Sequence, residues 1–330
     1  MLTRVRKLLT HRSVQIALTL WALADIAVAL LPRGTLDQAG VTATGIAIGA
    51  NVNLVAVFVL IGVTYALTRR RTVPDLAARA PEQRVAAREV GGLLAYGIAA
   101  QLGGALLGRF LGGHPISFHL AGTLYGHQHV TPYEAYTWAV YNFVCYALLP
   151  YLYFRRHYSA TNLNLRSSNR RNDFLVILVV MIIESLNELG GLSSAILSLS
   201  PGQLLVGAPV TFVLYLFGSA LPTMIFIYAI LLPRYLKLTR SVPATIVLGG
   251  LTYALLHFFE AWTVFTSPTA TLLSVVLLLL QYFGPGMVKA VLTLRTGNAW
   301  VHLWAYHALA PHTLVDTPHV VEILNIGHPA

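Results

Sequence analysis

The sequence predicts an all-α protein, a polytopic transmembrane bundle of about nine spans (eight to nine), and three observations lead there. Hydrophobic residues make up 56% of the 330-residue chain and charged residues only 10%, with a mean hydropathy of +0.67. Soluble chains carry about 25% charged residues, so this composition suits a solvent less polar than water. Apolar runs of roughly 20 residues, long enough to span a bilayer as helices, recur from end to end. Finally, all but three of the 22 basic residues fall in alternate loops, the pattern that orients membrane proteins.

The runs expected to span are 14–32, 42–67, 90–111, 135–154, 174–192, 209–232, 243–262, 268–292 and 298–314. With a cytoplasmic N-terminus, the inner side collects Arg4, Arg6, Lys7 and Arg12, then Arg69, Arg70, Arg71, Arg79, Arg84 and Arg88. It also collects Arg155, Arg156, Arg166, Arg170, Arg171, Arg234, Lys237, Arg240 and Arg295, leaving Arg33, Arg109 and Lys289 elsewhere. The net charge of +10 is therefore an orientation signal and a match to anionic lipid, the expected partner. No nucleic-acid partner is expected. The first run contains Asp25 and lacks a small-residue cleavage pattern, so it reads as a span of an integral membrane protein, of the plasma membrane if bacterial.

One membrane domain is expected: amino-terminal spans over 1–134, a core over 135–314 and an outer tail over 315–330. The Ala- and Arg-rich loop 72–89 reads as a surface helix on the headgroups. A single cysteine, Cys145, excludes a disulfide framework and a four-cysteine metal site.

Function is sought where polar residues survive inside apolar spans. Glu184 and Glu188 in "MIIESLNELGG" lie four apart on one helix face, about 6 Å along the axis. Two carboxylates so close in low dielectric suit proton transfer or metal ligation. His257 and Glu260 in "GGLTYALLHFFEAW" are three apart, again one face of a helix. The last span, "NAWVHLWAYHALAPH", carries His302, His307 and His312. At about 1.5 Å per residue, Glu184 and His307 lie ~14 Å from the inner end and His257 ~21 Å, so three spans offer groups to one buried cavity. The outer loop 112–134 adds His114, His119, His127, His129 and Glu134. Its His-x-His is weak as a metal motif, and Thr131-Pro132-Tyr133-Glu134 reads as a helix cap.

The C-terminal half is familiar. "TYALLH" followed by "LRTGNAWVHLWAYHAL" resembles the CPBP family of intramembrane metallopeptidases, the CAAX prenyl endopeptidase and bacteriocin-processing (Abi) proteins. Tyr253 to His257 matches that family's aromatic-x-x-x-His motif. Arg295, Thr296, Gly297, Trp300 and His307 match its later one. "AILLPRYLKLTRSVPATIVLGG" and "YALLPYLYFRRHYSATNLNLRS" extend the likeness over about residues 140 to 312. The resemblance implies that His257 and His307 activate a water, directly or through a divalent metal such as zinc, to cleave a membrane-protein or peptide substrate. The family's Glu-Glu-x-x-x-Arg motif is missing: Thr223 and Met224 stand at its glutamates, Tyr228 at its arginine. Pro311 stands where an asparagine is usual. Thr and Met cannot accept a proton, so a divergent or inactive peptidase homologue is expected. Two alternatives stay open: an active peptidase with a relocated glutamate (Glu260, or Glu184 and Glu188), and a proton-coupled transporter using Glu184 and Glu188.

Overall fold

A serine, threonine or asparagine precedes most helices and accepts a hydrogen bond from the first turn, which fixes where each helix begins. The computed structural model describes residues 10–30, 42–123, 128–190 and 194–327. It is 77% helical, and the described residues form no strand. Helix α1 is Arg12–Leu30 and α2 is Ala43–Leu67, where Thr42 accepts from the Gly45 amide at 3.0 Å. Helix α3 is Gln83–Phe110. Helix α4 covers 132–155 and opens on the expected Thr131 cap, with Glu134 returning the bond. Helix α5 is Arg170–Leu189 behind Asn169, and α6 is Pro201–Thr239 behind Ser200. Helix α7 is Val242–Leu255 behind Ser241, α8 is Pro268–Thr296 behind Ser267, and α9 covers 299–323 behind Asn298.

Three of these helices widen into π-helical turns: α4 at 143–148, α6 at 216–220 and 224–231, α9 at 303–307 and 309–314. Pro150, Pro222 and Pro233 each stand two residues beyond the end of such a turn, and Pro311 lies within one. Proline lacks an amide donor and crowds the carbonyl four residues back, so the helix widens to pass it.

Among the described residues, five helices are long and apolar enough to cross a membrane: α1, α2, α3, α6 and α8. Helix α7 is apolar but shorter, and α5 dilutes its apolar run with Arg170, Arg171, Asp173, Glu184 and Glu188. Large apolar side chains face outward along several of them, including Leu20 and Leu23, Val52 and Val55, Leu205 and Val213. Such a surface suits hydrocarbon and is a liability in water.

Helix α8 is the centre, packed against α1, α2, α7 and α9. It crosses α7 where Gly250 meets Gly286; a Cβ on Gly286 would lie 2.8 Å from both the Gly250 Cα and the Tyr253 Cβ. In lipid, small residues at such crossings let backbones approach and replace the missing hydrophobic drive. Asp25 and Asn51 tie α1 to α2 through a 2.8 Å hydrogen bond, with Trp21 donating to Asn51 at 3.0 Å.

A polar clamp closes one end of the bundle. Gly297, at φ +64°, ends α8 in the left-handed conformation that glycine adopts without strain. Its carbonyl accepts from Arg79 at 2.6 Å, and the Thr296 carbonyl accepts from Arg71 at 2.6 Å. Arg71 also pairs with Asp173, which accepts from Asn298 at 2.9 Å and Ser167 at 2.5 Å. The Thr296-Gly297-Asn298 part of the quoted motif thus joins three loops.

Three sequence expectations change. Loop 72–89 is not a surface helix: it holds one 3-10 turn, Ala77–Arg79, and its later part is the start of α3. Helix α7 stops at Leu255, so His257 and Glu260 stand in the turns beyond it rather than on one helix face. The chain beyond Val315 continues as helix to Ile323, where Gly207 of α6 makes room for Thr317 and Val321. Arg4, Arg6, Lys7, Arg33 and His127 lie outside the described residues.

Replacing Gly286 by Ala should destabilise the protein by about 1–3 kcal/mol through overpacking, read as a lower melting temperature in detergent. Gly62→Ala, where a Cβ meets nothing within 4 Å, should leave the melting temperature unchanged.

Candidate metal centre

The loop between α3 and α4 enters the bundle, because α3 is shaped to receive it. Gly104 and Gly108 lie one turn apart and lack the Cβ atoms that would strike the carbonyls of Ile116 and His114. The Ile116 amide donates to the Gly104 carbonyl at 3.3 Å. From the other side, Trp138 and Asn142 donate to the Ser117 carbonyl at 2.8 and 2.7 Å. Residues 116–121 are all buried. Non-helical backbone survives at membrane depth only where protein groups satisfy it in this way.

The loop delivers His119 to the end of α7. There the His257 amide bonds the Ala254 carbonyl and the Glu260 amide bonds the His257 carbonyl, at 3.0 and 3.2 Å, so both side chains project from successive turns. Glu260 Oε1 accepts from Ser117 Oγ at 2.8 Å and from the His119 amide at 3.2 Å. His119 Nδ1 lies 3.7 Å from the same oxygen. Among the described residues, His119, His257 and Glu260 are the group whose ligand atoms all lie within 4.8 Å of one another.

The remaining contacts suit a cation. His257 Nδ1 lies 2.7 Å from the Tyr253 carbonyl; a carbonyl only accepts, so Nδ1 carries the proton and Nε2 keeps its lone pair. That Nε2 has no hydrogen-bond partner, and neither has His119 Nδ1. Orphaned buried ring nitrogens are uncommon and call for an explanation such as an ion. The Tyr282 ring stacks on His257 at 3.9 Å and on His119 at 5.5 Å, holding both imidazoles. Two imidazoles and one carboxylate form the three-ligand set of catalytic zinc sites. The backbone carbonyl on His257 Nδ1 is the orienting partner that metal-bound histidines usually have.

The other sequence-predicted residues lie close by. His307 has no hydrogen-bond partner on either ring nitrogen. Its ring is 4.9 Å from that of His312, which is 5.0 Å from that of His119. A cavity of about 60 Å³ opens among His119, His307, His312, Glu188 and Lys289. Lys289 is buried with its side-chain nitrogen 3.5 Å above the Tyr253 ring, and Glu184 is buried on α5. So His257 and Glu260 join the three-ligand group, His307 and Glu188 line the neighbouring cavity, and Glu184 is in neither. Thr223 and Met224 are buried and bring no carboxylate. His302 packs on Tyr228 at 4.4 Å. On the loop, His114 bonds Glu134 at 3.0 Å and His129 is exposed.

The sequence reads His119 as part of the outer loop 112–134. The available signal was "HPISFHLAG", whose Ile116, Phe118 and Leu120 are too apolar for a solvated loop, together with the glycines of α3. Comparison with protein-family models, curated proteins and solved structures finds no match to the chain.

Glu260→Ala would strand the Ser117 hydroxyl and the His119 amide, at about 1–3 kcal/mol for each buried group left unpaired. Ser117→Ala, which leaves the second bond in place, should cost about 1 kcal/mol. Melting temperatures of the two variants should fall in that order.

Proposed function

We propose that the chain is an integral membrane protein with a cytoplasmic N-terminus, crossed by nine spans, that hydrolyses peptide bonds of a membrane-protein or peptide substrate at a metal centre of His119, His257 and Glu260. The approach of their three ligand atoms to within 4.8 Å carries the reading. The orientation is supported by the meeting of Arg71, Arg79 and the Thr296-Gly297 carbonyls at one end of the bundle, all from expected inner loops. The span count is supported by α5, whose 20 residues reach about 30 Å at 1.5 Å per residue, the thickness of the hydrocarbon core. The reaction class is supported by the motif resemblance to CPBP peptidases, in which His257 occupies the first histidine position.

In this reading Glu260 replaces the carboxylates missing at Thr223 and Met224. His307, the second motif histidine, serves the cavity beside the metal rather than the metal itself. The three residues would hold a divalent ion such as zinc, which would supply Lewis acidity and an acidified water. Lys289 sits on the cavity wall as a hydrogen-bond donor for a developing oxyanion. Glu188, on the same wall, offers a carboxylate for proton transfer. The hydrogen bonds from Ser117 and the His119 amide keep Glu260 in place.

Purified protein should retain about one equivalent of zinc per chain by elemental analysis, as a three-residue protein ligand set holds one ion. His119→Ala and Glu260→Gln should lose it while His307→Ala keeps it. In membranes, new peptide termini should accumulate with the wild type and not with His257→Ala. Zinc content that is the same in wild type and His119→Ala, or termini that do not depend on His257, would remove the reading.

A further inference from the structure

Between α3 and the second half of α4 lies a groove of about 680 Å³, and its lining residues Gly92, Leu149 and Tyr153 are exposed. On α3 the lining runs from Val85 to Tyr96 at alternating spacings of three and one, a single stripe along the helix. Leu149, Pro150, Tyr153 and Phe154 of α4 form the facing wall. At about 1.5 Å per residue the stripe is about 16 Å long, the depth of one leaflet of a hydrocarbon core about 30 Å thick. At Tyr96 the two helices are tied, its hydroxyl donating to the Cys145 carbonyl at 2.7 Å.

The groove is polar at one end only. Arg88 and Glu89 line it toward the start of α3, and the wall beyond them is largely apolar. Glu89 is already engaged: Arg234 Nε donates to it at 2.6 Å and the Tyr158 hydroxyl at 2.5 Å. Arg234 is buried behind that wall, its guanidinium 4.7 Å from the Phe154 ring centre, and its Nη2 has no hydrogen-bond partner. Glu89 and Arg234 therefore cancel. Arg88, exposed and in no ion pair among the described residues, leaves that end positive. Gly92 stands midway along the stripe, where a Cβ would meet nothing within 4 Å. Glycine weakens a helix interior relative to alanine, and no neighbouring protein group requires it here.

We propose that this groove holds one anionic phospholipid, its phosphate at Arg88 and an acyl chain along the stripe to Tyr96. Three features select that occupant. The stripe has the length of one leaflet, so a lipid fits it from headgroup level inward. Gly92 leaves the chain room that any side chain would take. The unbalanced charge of Arg88 favours an anionic headgroup over a zwitterionic one. The site rests on the reading of the chain as a membrane protein and shares no residue with the metal centre.

Full-length protein in nanodiscs of equal phosphatidylglycerol and phosphatidylcholine, with identical acyl chains, tests this by native mass spectrometry. The expected result is one retained phosphatidylglycerol per chain, favoured about fivefold over phosphatidylcholine, the effect of one arginine near a lipid phosphate. Arg88→Gln should bring the two lipids to parity. Gly92→Leu should fill the groove and lower retention of both. Its new side chain enters open space, so the melting temperature should not fall. Independently of any variant, phosphatidylglycerol carrying a diazirine in its acyl chain should crosslink to wild-type residues 85–96 and 149–154. Zinc content should be unchanged in both variants, which separates this site from the metal centre. Equal retention of the two lipids, retention unaffected by Gly92→Leu, or crosslinks confined to other segments would each overturn the site. Protein that does not enter nanodiscs would remove the membrane reading and the lipid site with it.

Discussion

Everything in the buried centre depends on how one carboxylate is satisfied. A buried carboxyl group such as that of Glu260 is costly unless donors surround it. It finds them by drawing in a loop: the Ser117 hydroxyl and the His119 amide both donate to Oε1. That pair of bonds brings the His119 ring beside His257 and converts two residues after α7 into a three-ligand group. The glycines of α3 and the donors Trp138 and Asn142 make the insertion tolerable: the Ser117 carbonyl meets two donors, and the His114 and Ile116 carbonyls fit against bare glycine backbone. The loop and the site are one construction, and a change that loosens the first should disperse the second.

The bundle around it is held from two directions. At one end, Arg71, Arg79 and Asp173 lock the end of α8 to the loops before α3 and α5. Mid-bundle, Gly250 and Gly286 bring α7 and α8 close enough for Tyr253 to cover Lys289 on one side and bond His257 through its carbonyl on the other. The buried Lys289 nitrogen sits 3.5 Å over the Tyr253 ring, whose face favours a cation. The Tyr253 carbonyl and the Tyr282 ring also set the orientation of His257.

Much of this was legible in the residues. The all-α class followed from composition, and the Thr131 cap from its spacing to Pro132 and Glu134. His257 and Glu260 were singled out as costly in hydrocarbon, and they do fall together. Two things were not legible, for physical reasons. A loop that re-enters the bundle has no periodicity, so His119 carried no helix signal. A π-helical turn closes on the fifth residue rather than the fourth, so the regular-helix rule hid the relation among His302, His307 and His312. Their spacing of five is a poor face in an α-helix and a good one in α9, where the rings of His307 and His312 lie 4.9 Å apart. Prolines at 150, 222, 233 and 311 were the available hint of widened turns.

The central claim is that His119, from a loop, and His257 and Glu260, from the end of α7, bind one metal ion together. X-ray absorption of the zinc-loaded protein tests it most directly. The account predicts a first shell of nitrogen and oxygen at about 2.0–2.1 Å with outer-shell scattering from two imidazoles, one of which disappears in His119→Ala. A sulfur-containing shell, or an imidazole count that does not change when His119 is removed, would contradict it.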